Sequence, residues 1–219
     1  MFAVPFENLD IGLGRSILCE ESRFLNKIVK HRRGGFCYEL NGAFAALLRA
    51  LGFPVTLLSA RVARIDGSEG PEFDHMTLLV DAQGLWLADV GFGESFLEPL
   101  RLEPDLDQEQ AGRLYRITLR NGRYHYSAYS DRTWKDQYSF DLRPRRLSDF
   151  AAMCHYHQTS PESHFTQKRI CSLATPEGRI TISGNVWIET RMGKREERVI
   201  SEEEARALLQ QRFGVRLDA

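Results

Sequence analysis

Two stretches early in the chain carry apolar residues at helical spacing. Residues 19 to 30 place Phe24, Leu25, Ile28 and Val29 on one stripe, and residues 36 to 51 do so with Phe36, Leu40, Phe44, Leu47, Leu48 and Leu51. Gly52 and Pro54 end the second helix, the glycine as a left-handed cap and the proline just beyond it. From Val55 the pattern changes to short β-prone runs separated by turn residues: "VTLLSARV", "HMTLLV" and "LWLADV", an antiparallel meander. The acidic stretch "EPDLDQEQAG" reads as a linker, after which two alternating runs flank Asn121-Gly122, a strong hairpin signal. Further strands make a barrel or curled sheet the expected form.

The remaining pattern is mixed. "LSDFAAMCHYH" (147–157) predicts a short helix with Ser148 or Asp149 as its N-cap, and "RICSLATPEGRITISGNVWIET" predicts two or three strands around Pro176-Glu177-Gly178. A last helix starts at about Ser201, where Ser201 and Glu204 match a capping box and Ala205, Leu208, Leu209 and Phe213 form an apolar face. Helices, then strands, then both together predict an α+β fold in three parts.

Composition removes several function classes. The 29 Lys and Arg against 30 Asp and Glu give no global field for nucleic acid or an anionic membrane. No apolar run approaches the ~20 residues that span a bilayer, and "MFAVPFENLD" has neither the basic nor the long apolar region of a signal peptide. The chain therefore reads as cytosolic, with small-molecule partners. Its four cysteines, Cys19, Cys37, Cys154 and Cys171, are too few and scattered for a disulfide framework.

One cysteine stands apart. In "RRGGFCYELNG" (32–42), Cys37 sits where a glycine-rich turn hands over to a helix, so the helix dipole and unpaired backbone N–H groups favour its thiolate. A thiol nucleophile needs a base, and the base needs a group to fix its tautomer. His75 begins "HMTLLV" and Asp89 ends "LWLADV"; if these runs are adjacent antiparallel strands, the two side chains are neighbours. The constellation is then Cys37 as thiolate, His75 as ion-pair partner and proton shuttle, and Asp89 as orienting carboxylate. Cys19, Cys154 and Cys171 lack such surroundings and read as structural.

Four blocks, "VPFENLD" (4–10), "RRGGFCYELNG" (32–42), "DHMTLLV" (74–80) and "DVGFG" (89–93), resemble the arylamine N-acetyltransferase family, as does "SHFTQKRICSLATPEGRITIS" (163–183). The resemblance implies a cysteine-protease-like helical domain (1–53), a β-barrel domain (54–160) and an α/β lid (161–219). It implies acetyl transfer from acetyl-CoA to an arylamine, hydrazine or N-hydroxyarylamine by a ping-pong route, with Cys37, His75 and Asp89 on the triad positions. Phe36, Phe92 and Phe165 fall near the acceptor pocket, and Pro71, Glu72, Phe73 and Gly93 on loops bordering CoA. The family carries further helices before the "PFENLD" block, so the helical domain is expected to be truncated here.

Other features have plainer readings. Cys154, His155, His157 and His164 match no common zinc spacing, and no metal is expected. "GFG" (91–93) lacks the strand and helix of a dinucleotide fingerprint. "KHRR" (30–33) and "RPRR" (143–146) read as solvated surface, with Arg32 or Arg33 alternatively holding a CoA phosphate or pairing with Glu39. The rival functions are a transglutaminase-like or papain-like cysteine hydrolase, and an inactive truncated form. Acceptor identity and the choice between monomer and homodimer stay open.

Overall fold

The computed structural model describes residues 1–217. In chain order its elements are β1 (Phe6–Glu7), α1 (Leu9–Gly12), α2 (Glu21–Leu25), a π-helical segment (Asn26–Lys30), α3 (Cys37–Ala50), β2 (Val55–Val62), β3 (His75–Asp81), β4 (Leu85–Ala88), β5 (Leu100–Arg101), β6 (Asp107–Gln110), β7 (Arg113–Arg120), β8 (Arg123–Ser130) and β9 (Thr133–Phe140). A 3-10 turn (Leu147–Phe150) leads into α4 (Ala151–Thr159) and α5 (His164–Gln167), then β10 (Ile170–Thr175), β11 (Gly178–Ser183), β12 (Val186–Arg191), β13 (Lys194–Val199) and α6 (Glu202–Phe213). The class is α+β. Two compact units form, one from Met1–Ala43 with the chain from Ala151 onward, the other from Phe44–Phe150.

In the first unit, five strands run in the order β1-β10-β11-β12-β13, all antiparallel. Alternation turns Cys171, Ile180, Ile182 and Trp187 to one face, where Ala205, Leu209 and Phe213 of α6 cover them. The Ser201 half of the predicted capping box forms, its Oγ accepting the Glu204 N–H at 3.1 Å, while the Glu204 carboxylate pairs with Arg198, and Gly214 ends the helix at φ 69°. β13 was not legible in the sequence, because its six residues are all exposed and carry no apolar period. The early helical stripe differs from expectation too. The α-helix ends at Leu25 and a π turn follows, which rotates later side chains away; Phe24 is buried whereas Val29 is 68% exposed.

In the second unit, eight strands run in the order β5-β4-β3-β2-β9-β8-β7-β6. The "EPDLDQEQAG" stretch is not a linker: it supplies edge strand β6, whose glutamine side chains do the work of a missing backbone ladder. Gln108 exchanges hydrogen bonds with Arg101 N–H and C=O at 2.7 and 3.1 Å, and Gln110 does so with Glu98 at 3.0 and 2.7 Å. These amides tie β6 to β5 and the residues just before it, so the sheet curls into a nearly closed barrel whose edges are bridged by side chains. Its interior is aromatic, with Tyr126 and Tyr138 as a cross-strand pair 5.0 Å apart and Phe96 on Tyr126 at 5.2 Å. Asn121 (φ 51°) and Gly122 (φ 75°) make the β7–β8 hairpin turn that both residues favour. Leu47 and Leu51 of the second predicted stripe are exposed.

Candidate active site

Cys37 opens α3 in the first unit, buried at 3% exposure. The glycines before it are required by close approaches. A Cβ on Gly34 would lie 2.1 Å from the Pro5 carbonyl oxygen, and one on Gly35 would lie 2.6 Å from Glu39 Cβ. Pro5 is that close because β1 lies beside this turn: Phe6 bridges Gly35, and Glu7 N–H donates to Gly35 O at 2.9 Å. The "PFEN" and "RRGGF" blocks therefore form one piece of structure. Asn8 extends it, its Nδ2 donating to the Phe165 and Lys168 carbonyls at 3.0 and 2.8 Å while its Oδ1 accepts Ile170 N–H at 2.6 Å.

Beneath the turn lies a buried ion cluster. Arg33 donates to Glu7 Oε1 through Nε and Nη2 at 3.0 and 2.8 Å, and to Asp10 Oδ1 at 3.0 Å. Lys27 Nζ lies 2.8 Å from Asp10 Oδ2 and 2.9 Å from Glu39 Oε1. Of "KHRR", Lys30, His31 and Arg32 are exposed as expected, but Arg33 is only 4% exposed, a correction for that residue, and Lys27, not Arg33, pairs with Glu39. Arg145 of "RPRR" is likewise engaged, bonded to Glu72 and stacked over Phe73 at 5.1 Å. Burial opposes the Asp10 carboxylate, but Lys27 and Arg33 hold it below its ordinary value. Burial opposes the Lys27 ammonium in the same way, yet Glu39, Glu7 and Asp10 raise it.

The second unit holds His75 and Asp89. His75 at the start of β3 and Asp89 just after β4 are both buried at 3% exposure, and their Nε2 and Oδ2 lie 2.6 Å apart, as the antiparallel reading of the two runs implies. An ionised carboxylate only accepts, so Nε2 carries the proton toward Asp89 and Nδ1 presents its lone pair. Asp89 is itself held: Gly91 N–H donates to Oδ1 at 2.9 Å and the Tyr138 hydroxyl to Oδ2 at 2.9 Å. Burial pushes the Tyr138 phenol well above its ordinary value, with Asp89 adding to the shift, so Tyr138 stays a donor. Sequence reasoning missed Tyr138, since "DQYSF" carries only a strand pattern.

The aromatic candidates divide between the units. Phe92 is half-buried with its ring 5.0 Å from that of His75, edge to face. Phe36 is fully buried, packed on Tyr38 at 5.1 Å and Phe165 at 5.8 Å, and Phe165 also meets His157 at 5.2 Å. Pro71, Glu72 and Phe73 lie on the loop entering β3, where Ser59 Oγ accepts the Phe73 N–H at 2.7 Å and Phe73 takes φ 67°. Gly93 takes φ 76° one residue past Phe92.

Burial pushes the Cys171 thiol well up, and a hydrogen bond with Cys19 together with burial raises Cys154. Both are held as neutral thiols, which suits a structural role.

A family model described as N-acetyltransferase matches residues 1–219. The arylamine N-acetyltransferase / N-hydroxyarylamine O-acetyltransferase of Salmonella typhimurium is 34% identical over 97% of this chain and 78% of that protein. The chain belongs to the arylamine N-acetyltransferase family. Among solved structures of the family, that of the M. smegmatis arylamine N-acetyltransferase is similar with a TM-score of 0.92 at 32% identity, covering 99% of this chain and 82% of that one. A Mycobacterium marinum arylamine N-acetyltransferase solved in complex with CoA has a TM-score of 0.89 at 31% identity, covering 98% and 82%.

Proposed function

We propose that the protein transfers an acetyl group from acetyl-CoA to an arylamine, hydrazine or N-hydroxyarylamine through an acetyl-Cys37 intermediate. The observation that carries this reading is the buried His75–Asp89 bond of 2.6 Å, in a chain whose one cysteine at the start of a long helix is Cys37. The CoA complex of the Mycobacterium marinum relative supports CoA as the thiol product.

The route splits one hard acyl transfer into two easier steps. The Cys37 thiol gives its proton to His75 Nδ1, and the resulting thiolate attacks the thioester carbonyl. The tetrahedral adduct collapses by breaking the bond to the CoA sulfur, which takes the proton from His75. In the second step the amine attacks the acetyl-Cys37 carbonyl, His75 removes the amine proton, and that proton returns to the departing Cys37 sulfur. Asp89 and Tyr138 keep the imidazole in the tautomer both steps need. Arylamines suit this chemistry because they are uncharged near neutral pH and so offer a free lone pair. Phe92, Phe36 and Phe165 are the aromatic side chains assigned to the acceptor, and Pro71, Glu72, Phe73 and Gly93 to the CoA side.

The rival of a cysteine hydrolase is separated by following CoA thiol release. The acetyltransferase reading predicts release from acetyl-CoA that is sustained only when an arylamine is present, with the acetylated amine as product. Hydrolysis of peptide or amide substrates without CoA turnover would contradict it.

A further inference from the structure

Glu39 is the one member of the ion cluster on the helix that Cys37 begins. Its Oε2 accepts the Phe36 N–H at 3.1 Å, one residue before the nucleophile, and its Oε1 meets Lys27 Nζ at 2.9 Å. The side chain is packed on Gly35 so closely that a Cβ there would meet Oε2 at 2.8 Å. Three carboxylates, those of Glu7, Asp10 and Glu39, share two buried cations, Lys27 and Arg33, and the third cation, Arg15, is half-exposed and reaches only Asp10, at 3.9 Å, so Lys27 alone pairs with Glu39.

We propose that Glu39 is a positioning residue for the Cys37 nucleophile and a proton-holding one: its carboxyl fixes the turn into α3, and its charge state sets the field in which the thiolate forms. The inference rests on the reading of Cys37 as nucleophile. The positive end of a helix corresponds to roughly half an elementary charge, so a full negative charge in the first turn offsets the field that stabilises a thiolate. A neutral Glu39 leaves that field intact.

The surroundings make the neutral form accessible. Burial, with Glu7 adding, pushes the Glu39 carboxyl up to about 7 against the opposing effect of Lys27. The groups facing it are Lys27 on the π turn, Glu7 on β1, Asp10 on α1, Arg33 on the approach to α3 and Cys154 on α4. A cavity of about 440 Å³ borders the cluster, lined by Asp10, Arg15, Lys27, His31, Arg33 and Glu39. Coupling is reciprocal. Acetylation of Cys37 removes a negative charge, so Glu39 ionises more readily in the acetyl-enzyme than in the thiolate form.

The test is Cys37 alkylation by iodoacetamide, located by peptide mass and followed from about pH 5.5 to about 9 in wild type, Glu39→Gln and Glu39→Ala. Glutamine keeps an acceptor for Phe36 N–H and removes the charge. The expected result is a wild-type profile with an inflection near pH 7 that is absent in Glu39→Gln, which reacts about two- to five-fold faster than wild type above that pH. Glu39→Ala loses the acceptor as well and reacts several-fold more slowly throughout; if it does not fold, the glutamine variant decides alone. Superimposable wild-type and glutamine profiles overturn the proposal, as does a uniform slowing of Glu39→Gln without change of shape, the mark of a merely structural role. Failure of Cys37 to be alkylated in folded wild-type protein overturns the nucleophile reading as well, and so is distinguishable from failure of this one.

Discussion

The barrel surrounds Asp89 with donors from His75, Tyr138 and the Gly91 amide, whereas the first unit sets Glu7, Asp10 and Glu39 around Lys27 and Arg33. Both bury carboxylates, but to different ends. Asp89 is held by directional bonds that fix one imidazole in one tautomer. The ion cluster ties three separate segments, residues 7–10, 27 and 33–39, into the frame from which α3 starts. A single carboxylate among donors suits the proton-transfer task proposed for His75; in the cluster, burial leaves Glu39, pushed up to about 7, as a group able to change charge. The difference teaches that burial alone does not distinguish a carboxylate held to orient one side chain from one held in an ion cluster, and that the identity of the bonded partners does.

Breaking the orienting side should cost the most activity. Asp89→Asn replaces the acceptor with an amide that no longer selects the Nε2–H tautomer, and turnover should fall on the order of 10³-fold or more while the fold persists. Steady-state rates with circular dichroism on the same samples check this. Breaking the architectural side should instead cost stability: Arg33→Met leaves Glu7 buried without its bidentate partner, for a loss of about 3–5 kcal/mol in denaturant unfolding. If Arg33→Met lowered activity with no change in unfolding midpoint, the two regions would not differ as described.

Smaller perturbations sharpen the contrast. Tyr138→Phe removes one of the donors to Asp89 and is expected to lower kcat several-fold, with a stability change of about 1 kcal/mol. The pH dependence of stability should carry opposite signs within the cluster. Asp10 titrates below its ordinary value when folded, so its contribution is present above the unfolded value and is lost as pH falls. Glu39 titrates above its ordinary value, near 7, so folding is weakened as pH rises from the unfolded value of 4.5 through 7. Thermal melts of Glu39→Gln should be flatter than wild type over that window.

Much of this arrangement was legible in the residues. The change from a helical to an alternating period located α3 and the meander, and the chain positions of His75 and Asp89 predicted their contact, because antiparallel runs bring the start of one beside the end of the next. What escaped lies in long-range polar contacts, which leave no periodic trace. Arg33 and Lys27 look like surface charges until Glu7 and Asp10 are folded onto them. Tyr138 lies 49 residues from Asp89 in a strand with no distinguishing pattern. Strand β6 was hidden because its residues DQEQ carry no apolar alternation although they pair with β7, and β13 because its exposed residues KREERV carry no period.

The most direct test of the central claim is the intact mass of the protein after brief exposure to acetyl-CoA without acceptor, in wild type and Cys37→Ser. The account predicts a single gain of about 42 Da, one acetyl group, in wild type alone, discharged on adding an arylamine. A folded wild-type protein that gains no mass, or a Cys37→Ser variant that gains the same adduct, would contradict it.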